Sequence, residues 1–257
     1  MKPFRCAASA AVLGLRTLLA APAAAQGVDD FGAYGGLERS GHTESRQDAA
    51  FELRFGRYQP EVDDEFGSGT TPFRDVFGNS TRFALGFEVD WQLLRIAHFG
   101  SIGPGVGWHL TRFGGTATVT ATGEPSEEET TLWIMPMHLV GVLRVDVLAQ
   151  DLGIPLVPYG KLGFGYGWWW SSDGDRTARF EGDSARGASY GLTYALGAMF
   201  LLDVLDREDA AMADAMSGIN NSYVFAEWYR PQLDGFGAED QLNIGSSSWL
   251  IGIAIEL

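Results

Sequence analysis

Cysteine is almost missing from this chain: the one residue of its kind, Cys6, stands near the start. Long apolar runs are missing as well. The best candidate beyond the first residues, WIMPMHLVGVL at 133–143, is short and carries Pro136 and His138, so no helix reaches the roughly 20 apolar residues a bilayer crossing needs. Basic residues are scarce, 18 against 33 acidic over 257 residues. These shortages exclude a disulfide-stapled scaffold, a transmembrane helix and a nucleic-acid partner, which would ask for a basic surface.

Residues 1–25, MKPFRCAASAAVLGLRTLLAAPAAA, supply Lys2 and Arg5, an apolar stretch, and Ala23, Ala24 and Ala25 before Gln26. That order reads as an export signal peptide. Without Lys2, Arg5 and Arg16, 15 basic residues face 33 acidic ones, a formal charge of −18. Such acidity opposes docking on anionic lipid by net attraction. An exported chain without disulfides draws its stability from an ordinary core or from the membrane itself.

Residues 26–48 show no periodicity and read as a flexible lead. From residue 50 the period is two, the spacing at which a strand sends successive side chains to opposite faces. AFELRFGRY (50–58) sets Phe51, Leu53 and Phe55 against Glu52, Arg54 and Gly56; RFALGFEVDWQLL (82–94) sets Phe83, Leu85, Phe87, Val89, Trp91 and Leu93 against Arg82, Gly86, Glu88, Asp90 and Gln92. SIGPGVGWHLTRF (101–113), ASYGLTYALGAMFLL (188–202), NSYVFAEWYR (221–230) and the closing SSWLIGIAIEL repeat the pattern. In GKLGFGYGWWW (160–170), Leu162, Phe164, Tyr166, Trp168 and Trp170 back onto Lys161 and glycines. Residues 131–147 are apolar on both faces, and Trp133, Met135, Met137, Leu139, Leu143 and Val145 are the choice for lipid. Pro136 predicts a local irregularity there.

Eight strands of about ten residues, joined by connections that alternate long and short, predict an all-β fold: an eight-stranded antiparallel up-and-down transmembrane β-barrel over 49–257. The segment 203–218 is expected to hold a short periplasmic helix between strands six and seven. Lipid outside explains the aromatic columns, with Trp91, Trp168, Trp170, Trp228 and Trp249 as an interfacial belt. Inside, a barrel this narrow is filled by side chains. Arg54, Arg82, Glu88, Lys161 and Glu227 are the expected polar network, Glu227 and Glu88 pairing with Arg54, Arg82 or Lys161.

Signals for chemistry are sparse. His42, His98, His109 and His138 have no metal-ligand spacing. A lipid-modifying enzyme on the barrel surface would need a serine and a histidine; His109 or His138 with Ser101 or Ser189 are the candidates, and no motif singles them out. Glu61, Asp63, Asp64, Glu65 and Asp75 crowd one loop and Glu124, Glu127, Glu128 and Glu129 another. There Ca²⁺ or Mg²⁺ would bridge carboxylates to each other or to lipopolysaccharide phosphates, although solvated acidic loops explain the same residues.

The words AFELRFGRYQPEVDDEFG, PFRDVFG (72–78), FALGFEVDWQLL, VPYGKLGFGYGWWW and GINNSYVFAEWYR together resemble an outer-membrane β-barrel family of myxobacteria and related Gram-negative bacteria, over residues 50–257. The family is defined by architecture, so the resemblance implies a fold and a place in the cell outer membrane, reached through the barrel-assembly machinery. It implies no activity and no cofactor. The expected role is structural or surface interaction with a filled lumen. The alternatives are a small-solute pore and an exported soluble ligand-binding barrel with its faces swapped.

Overall fold

Alternating residues commit each strand to two faces, and pairing then has to hide one of them. In the computed structural model of the chain, eight strands do so by closing on themselves. The structure describes residues 48–257 except 67, 68, 97, 98, 119–124, 174, 175, 181, 182, 206–209, 211, 213–215, 239 and 240. The expected signal peptide and nearly all of the lead lie outside the described residues.

The ring strands are β1 (Ala49–Tyr58), β2 (Arg82–Trp91), β3 (Gly100–Thr118), β4 (Pro125–Val145), β5 (Leu156–Asp173), β6 (Arg186–Leu201), β7 (Asn221–Gln232) and β8 (Ser248–Glu256), with short strands at Leu94–Ile96, Arg176–Thr177, Arg179–Phe180 and Asp183–Ser184 in the connections. Each pairs antiparallel with the next in sequence, and β1 pairs with β8 from Ala50↔Glu256 to Gly56↔Leu250. The closed ring leaves no sheet edge among the eight. Leu257 N–H donates to the Ala49 carbonyl at 2.9 Å, so both described chain ends lie on one rim, here called the terminal rim. The connections β1–β2, β3–β4, β5–β6 and β7–β8 crown the opposite, loop rim.

The faces are inverted relative to a soluble protein. Phe83, Leu162, Phe164, Ile251 and Trp249 are 63–69% exposed, whereas Glu52, Arg54, Glu88 and Glu227 are 0% exposed. Along β4, Leu132, Ile134, His138, Val140, Val142 and Arg144 are buried, and Leu139 and Leu143 are exposed, so the odd-numbered column faces outward, as chosen from the sequence.

Strand length departs from expectation. β3 to β6 run 16 to 21 residues; between β3 and β4 pairing continues beyond the apolar columns into Thr116, Thr130 and Thr131, β-branched residues that suit a ladder in water as well as in lipid. At Pro136 the β3–β4 ladder lacks the pairs between Trp108↔Met137 and Thr111↔Ile134 without changing register; the register shift lies farther out, between Thr116 and Thr118. A missing N–H deletes local pairing, and the long flanking ladders hold the alignment. Of the expected helix at 203–218, the structure describes a 3₁₀ turn at Leu202–Val204 and helical backbone at 210, 212, 216 and 217; the rest lies outside the described residues.

The loop rim is closed over by two connections. The β1–β2 loop carries the helix α1 (Pro72–Phe77), capped by the Asp63 carboxylate, which accepts from Phe73 N–H at 2.8 Å and Arg74 N–H at 3.2 Å. Phe73 meets Phe113 edge-on, ring centroids 5.1 Å apart. From the β7–β8 loop, Leu233 and Ile244 are fully buried in the same cluster with Val62, Leu132 and Ile134. A second apolar cluster, including Val157, Met199, Leu201 and Phe225, fills the interior on the other side.

Candidate functional site

Between these apolar clusters the inward residues of six strands meet as an ion network. Arg54 on β1 pairs with Glu88 on β2 and Glu227 on β7, and lies 3.7 Å from Glu52. Lys161 on β5 donates to Glu52 at 2.7 Å and to Glu88, with Asp90 at 3.9 Å and Glu227 at 4.0 Å. Toward the terminal rim Arg144 reaches Glu256 at 2.7 Å, Asp90 at 2.9 Å and Glu52 at 3.4 Å. All eight side chains are buried.

Five carboxylates thus face three cations, and neutral donors take up part of the surplus. Tyr159 O–H donates to Glu227 at 2.9 Å. Glu256 accepts from Gln92 at 2.6 Å, Asn221 at 2.9 Å and Tyr223 at 3.0 Å. His138 lies 2.6 Å from Glu88 through Nε2 and 3.3 Å from the Tyr229 hydroxyl through Nδ1; Nε2–H donating to the carboxylate leaves Nδ1 to accept from the phenol, one tautomer serving both contacts. His109 lays its ring 4.8 Å from that of Tyr229, with neither of its nitrogens hydrogen-bonded among the described residues. Room for the imidazoles comes from glycines: a Cβ on Gly107 would stand 2.6 Å from His138 Nε2, and one on Gly86 would strike the His109 ring.

Of the residues expected in the lumen, Arg54, Glu88, Lys161 and Glu227 come together. Arg82 does not join them; it is half-buried at the loop rim, opposite Tyr58 in the last β1–β2 pair. Sequence reasoning missed Glu52, Asp90, Arg144, Glu256 and His138 as partners, although the inward side of the alternation already held Glu52 and Asp90. Trp91, Trp168 and Trp249 are exposed; Trp170 and Trp228 are half-buried. Trp91 lies at the terminal rim opposite Ala49. Trp228 and Trp249 face each other across β7 and β8.

The arrangement suits cohesion better than turnover. Glu52, Glu88 and Asp90 bring carboxylate oxygens within 4.8 Å of one another, a spacing fit for a divalent cation, yet the Lys161 ammonium already stands among them. Ser189 donates to the Leu242 carbonyl and Ser101 sits opposite Arg144, while His138 is engaged by Glu88 and Tyr229. Three of the acidic loop residues have local partners: Glu61 pairs with Arg230, Asp63 caps α1, and Asp75 accepts from Thr71 at 3.0 Å. Glu124 lies outside the described residues.

No protein-family model matches the chain, and no curated protein matches it. Among solved structures it is similar to Ail, the attachment invasion locus protein of Yersinia pestis, in complex with the heparin analogue sucrose octasulfate: 13% identity over 84% of this chain and 100% of that one, TM-score 0.43. The outer membrane protein OprG from Pseudomonas aeruginosa gives 14% identity, 83% and 97% coverage and a TM-score of 0.47. The N-terminal β-barrel domain of OprF from Pseudomonas aeruginosa gives 9%, 82%, 98% and 0.38. The strand register, not these distant likenesses, establishes the barrel.

Proposed function

We propose that the chain is an integral outer-membrane β-barrel of the myxobacterial type, with a structural or surface-interaction role, whose lumen is a packed core and not a passage. The observation that carries this is the inversion of faces: exposed columns such as Leu162, Phe164 and Tyr166 stand outside while Arg54, Glu88 and Glu227 are fully buried inside. Water would penalise the first arrangement and hydrocarbon rewards it. The barrel-assembly machinery and a lipopolysaccharide-bearing leaflet are the surroundings this reading assigns, with residues 1–25 as the export signal.

The filled interior favours this role over a solute pore. Leu233 and Ile244 close the loop side, the ion network occupies the middle, and Met199 and Phe225 close the other side. The loops are then what a partner would meet. Refolding the chain from residue 26 with phosphatidylcholine vesicles and floating the mixture on a density gradient tests the reading. Co-flotation that survives high salt and carbonate is expected; a chain that stays soluble and folded without lipid or detergent would overturn it.

A further inference from the structure

Although the whole chain is acidic, two arginines end outward columns near the loop rim, with the exposed Glu129 farther out on β4. On β3 the outward residues Val106, Trp108 and Leu110 are followed toward the loop rim by Arg112; on β6, read in the same direction, Leu196, Leu192 and Tyr190 give way to Arg186. On β4 and β5 the last outward aromatics are Trp133 and Trp170, with Thr131 and Ser172 beyond them. Pairing aligns these four ends in one row: Arg112 opposite Trp133, Trp133 opposite Trp170, Trp170 opposite Arg186.

The row is organised. The two indoles are stacked, centroids 5.9 Å apart and planes 7° from parallel, and the Arg112 guanidinium lies 5.6 Å from the Trp133 ring centre. Both arginines are exposed. Arg112 donates to Thr131 Oγ1 at 3.3 Å, and among the described residues neither arginine forms an ion pair, whereas Arg230 and Arg74 on the same rim have Glu61 and Asp63. Three strand spacings separate Arg112 from Arg186, about 14 Å at the usual 4.8 Å per strand.

We infer that this row binds a bisphosphorylated glycolipid headgroup in the leaflet at the loop rim, one phosphate on Arg112 and the other on Arg186, with the Trp133–Trp170 stack lying at the boundary between headgroup and acyl chains. The inference rests on the membrane reading above. A guanidinium offers phosphate a bidentate fork, and indoles prefer the interfacial depth. Two cations held apart by a rigid aromatic pair select for two anionic groups at matching separation, which a monophosphorylated lipid cannot satisfy at both ends.

The test titrates the detergent-folded chain with bisphosphorylated lipid A, its monophosphorylated form, phosphatidylglycerol and inorganic phosphate, following tryptophan emission. Bisphosphorylated lipid is expected to bind most tightly, and Arg112→Gln with Arg186→Gln to weaken it roughly thirtyfold, each single change contributing about fivefold, from about 1 kcal/mol per basic residue. Both arginines are on the surface, so folding in the double variant is checked by its circular dichroism. Equal affinity of the wild type for the mono- and bisphosphorylated lipids, an unchanged double variant, or inorganic phosphate matching the lipid would overturn the inference. Failure to enter phosphatidylcholine vesicles would instead overturn the membrane reading.

Discussion

Lys161, on the strand that carries the exposed Phe164 and Trp168, points the other way and holds the Glu52 carboxylate of β1 at 2.7 Å across the barrel. That contact joins β5 to β1, which are not neighbours in the ring, so the network ties opposite walls together. Lys161→Met should therefore cost about 3–5 kcal/mol, because it strands buried carboxylates without their cation. Urea unfolding in detergent micelles reads the loss. Combining it with Glu88→Gln should cost less than the two single changes together, as expected for side chains in contact.

Packing predicts a second effect. Gly107→Val puts a branched side chain where His138 Nε2 would be 2.6 Å from its Cβ, and about 1–3 kcal/mol of destabilisation follows from overpacking. Gly153, at the terminal-rim turn with open space around its Cβ position, has no such neighbour to displace. Its positive φ of 65° makes Gly153→Asn the comparison that respects the backbone, with a change under about 1 kcal/mol.

The closed loop rim predicts silence in planar bilayers. Leu233 and Ile244 are 0% exposed, so the intact barrel should show no steady conductance. Leu233→Ala should lose about 2–5 kcal/mol of stability and still conduct nothing, since the ion network lies below it. A stable open channel in the wild type would contradict the filled interior.

Asp146, just past β4 at the terminal rim, gives a pH signature. Burial, with the nearby Glu256 carboxylate and against Arg144 and Arg95, pushes it up from 3.8 to about 6. As pH falls from about 6 toward 4, the folded chain takes up a proton that the unfolded chain does not yet bind, so this group adds stability on acidification and costs stability above pH 6. Asp146→Asn should remove that slope and be more stable than the wild type at pH 7. Equal slopes in both proteins between pH 4 and 6 would sink the assignment.

The alternation of residues such as Leu53 with Arg54, or Phe87 with Glu88, made the strands and their faces legible in the sequence. Partners were harder to read. Period two assigns a side chain to the lumen but not to a height along it, and height depends on the stagger of the closed ring. Arg82 and Arg54 have the same inward parity, yet one ends at the rim and the other at the centre. Arg144 and His138 were obscured because both faces of β4 are rich in apolar residues. Leu233 and Ile244 belong to a connection without periodicity, so nothing local announced that it folds back into the barrel.

The most direct test of the account asks what surrounds the aromatic columns. The sole cysteine lies within residues 1–25, so single cysteines in the remaining chain carry spin labels cleanly. Labels at Phe164→Cys and Ile253→Cys, in phosphatidylcholine vesicles, should be accessible to oxygen dissolved in the acyl chains and shielded from aqueous nickel chelate, while a label at Thr193→Cys is shielded from both. If the labels at 164 and 253 were instead shielded from lipid oxygen and packed together, the barrel would have its apolar face inside and the account would fail.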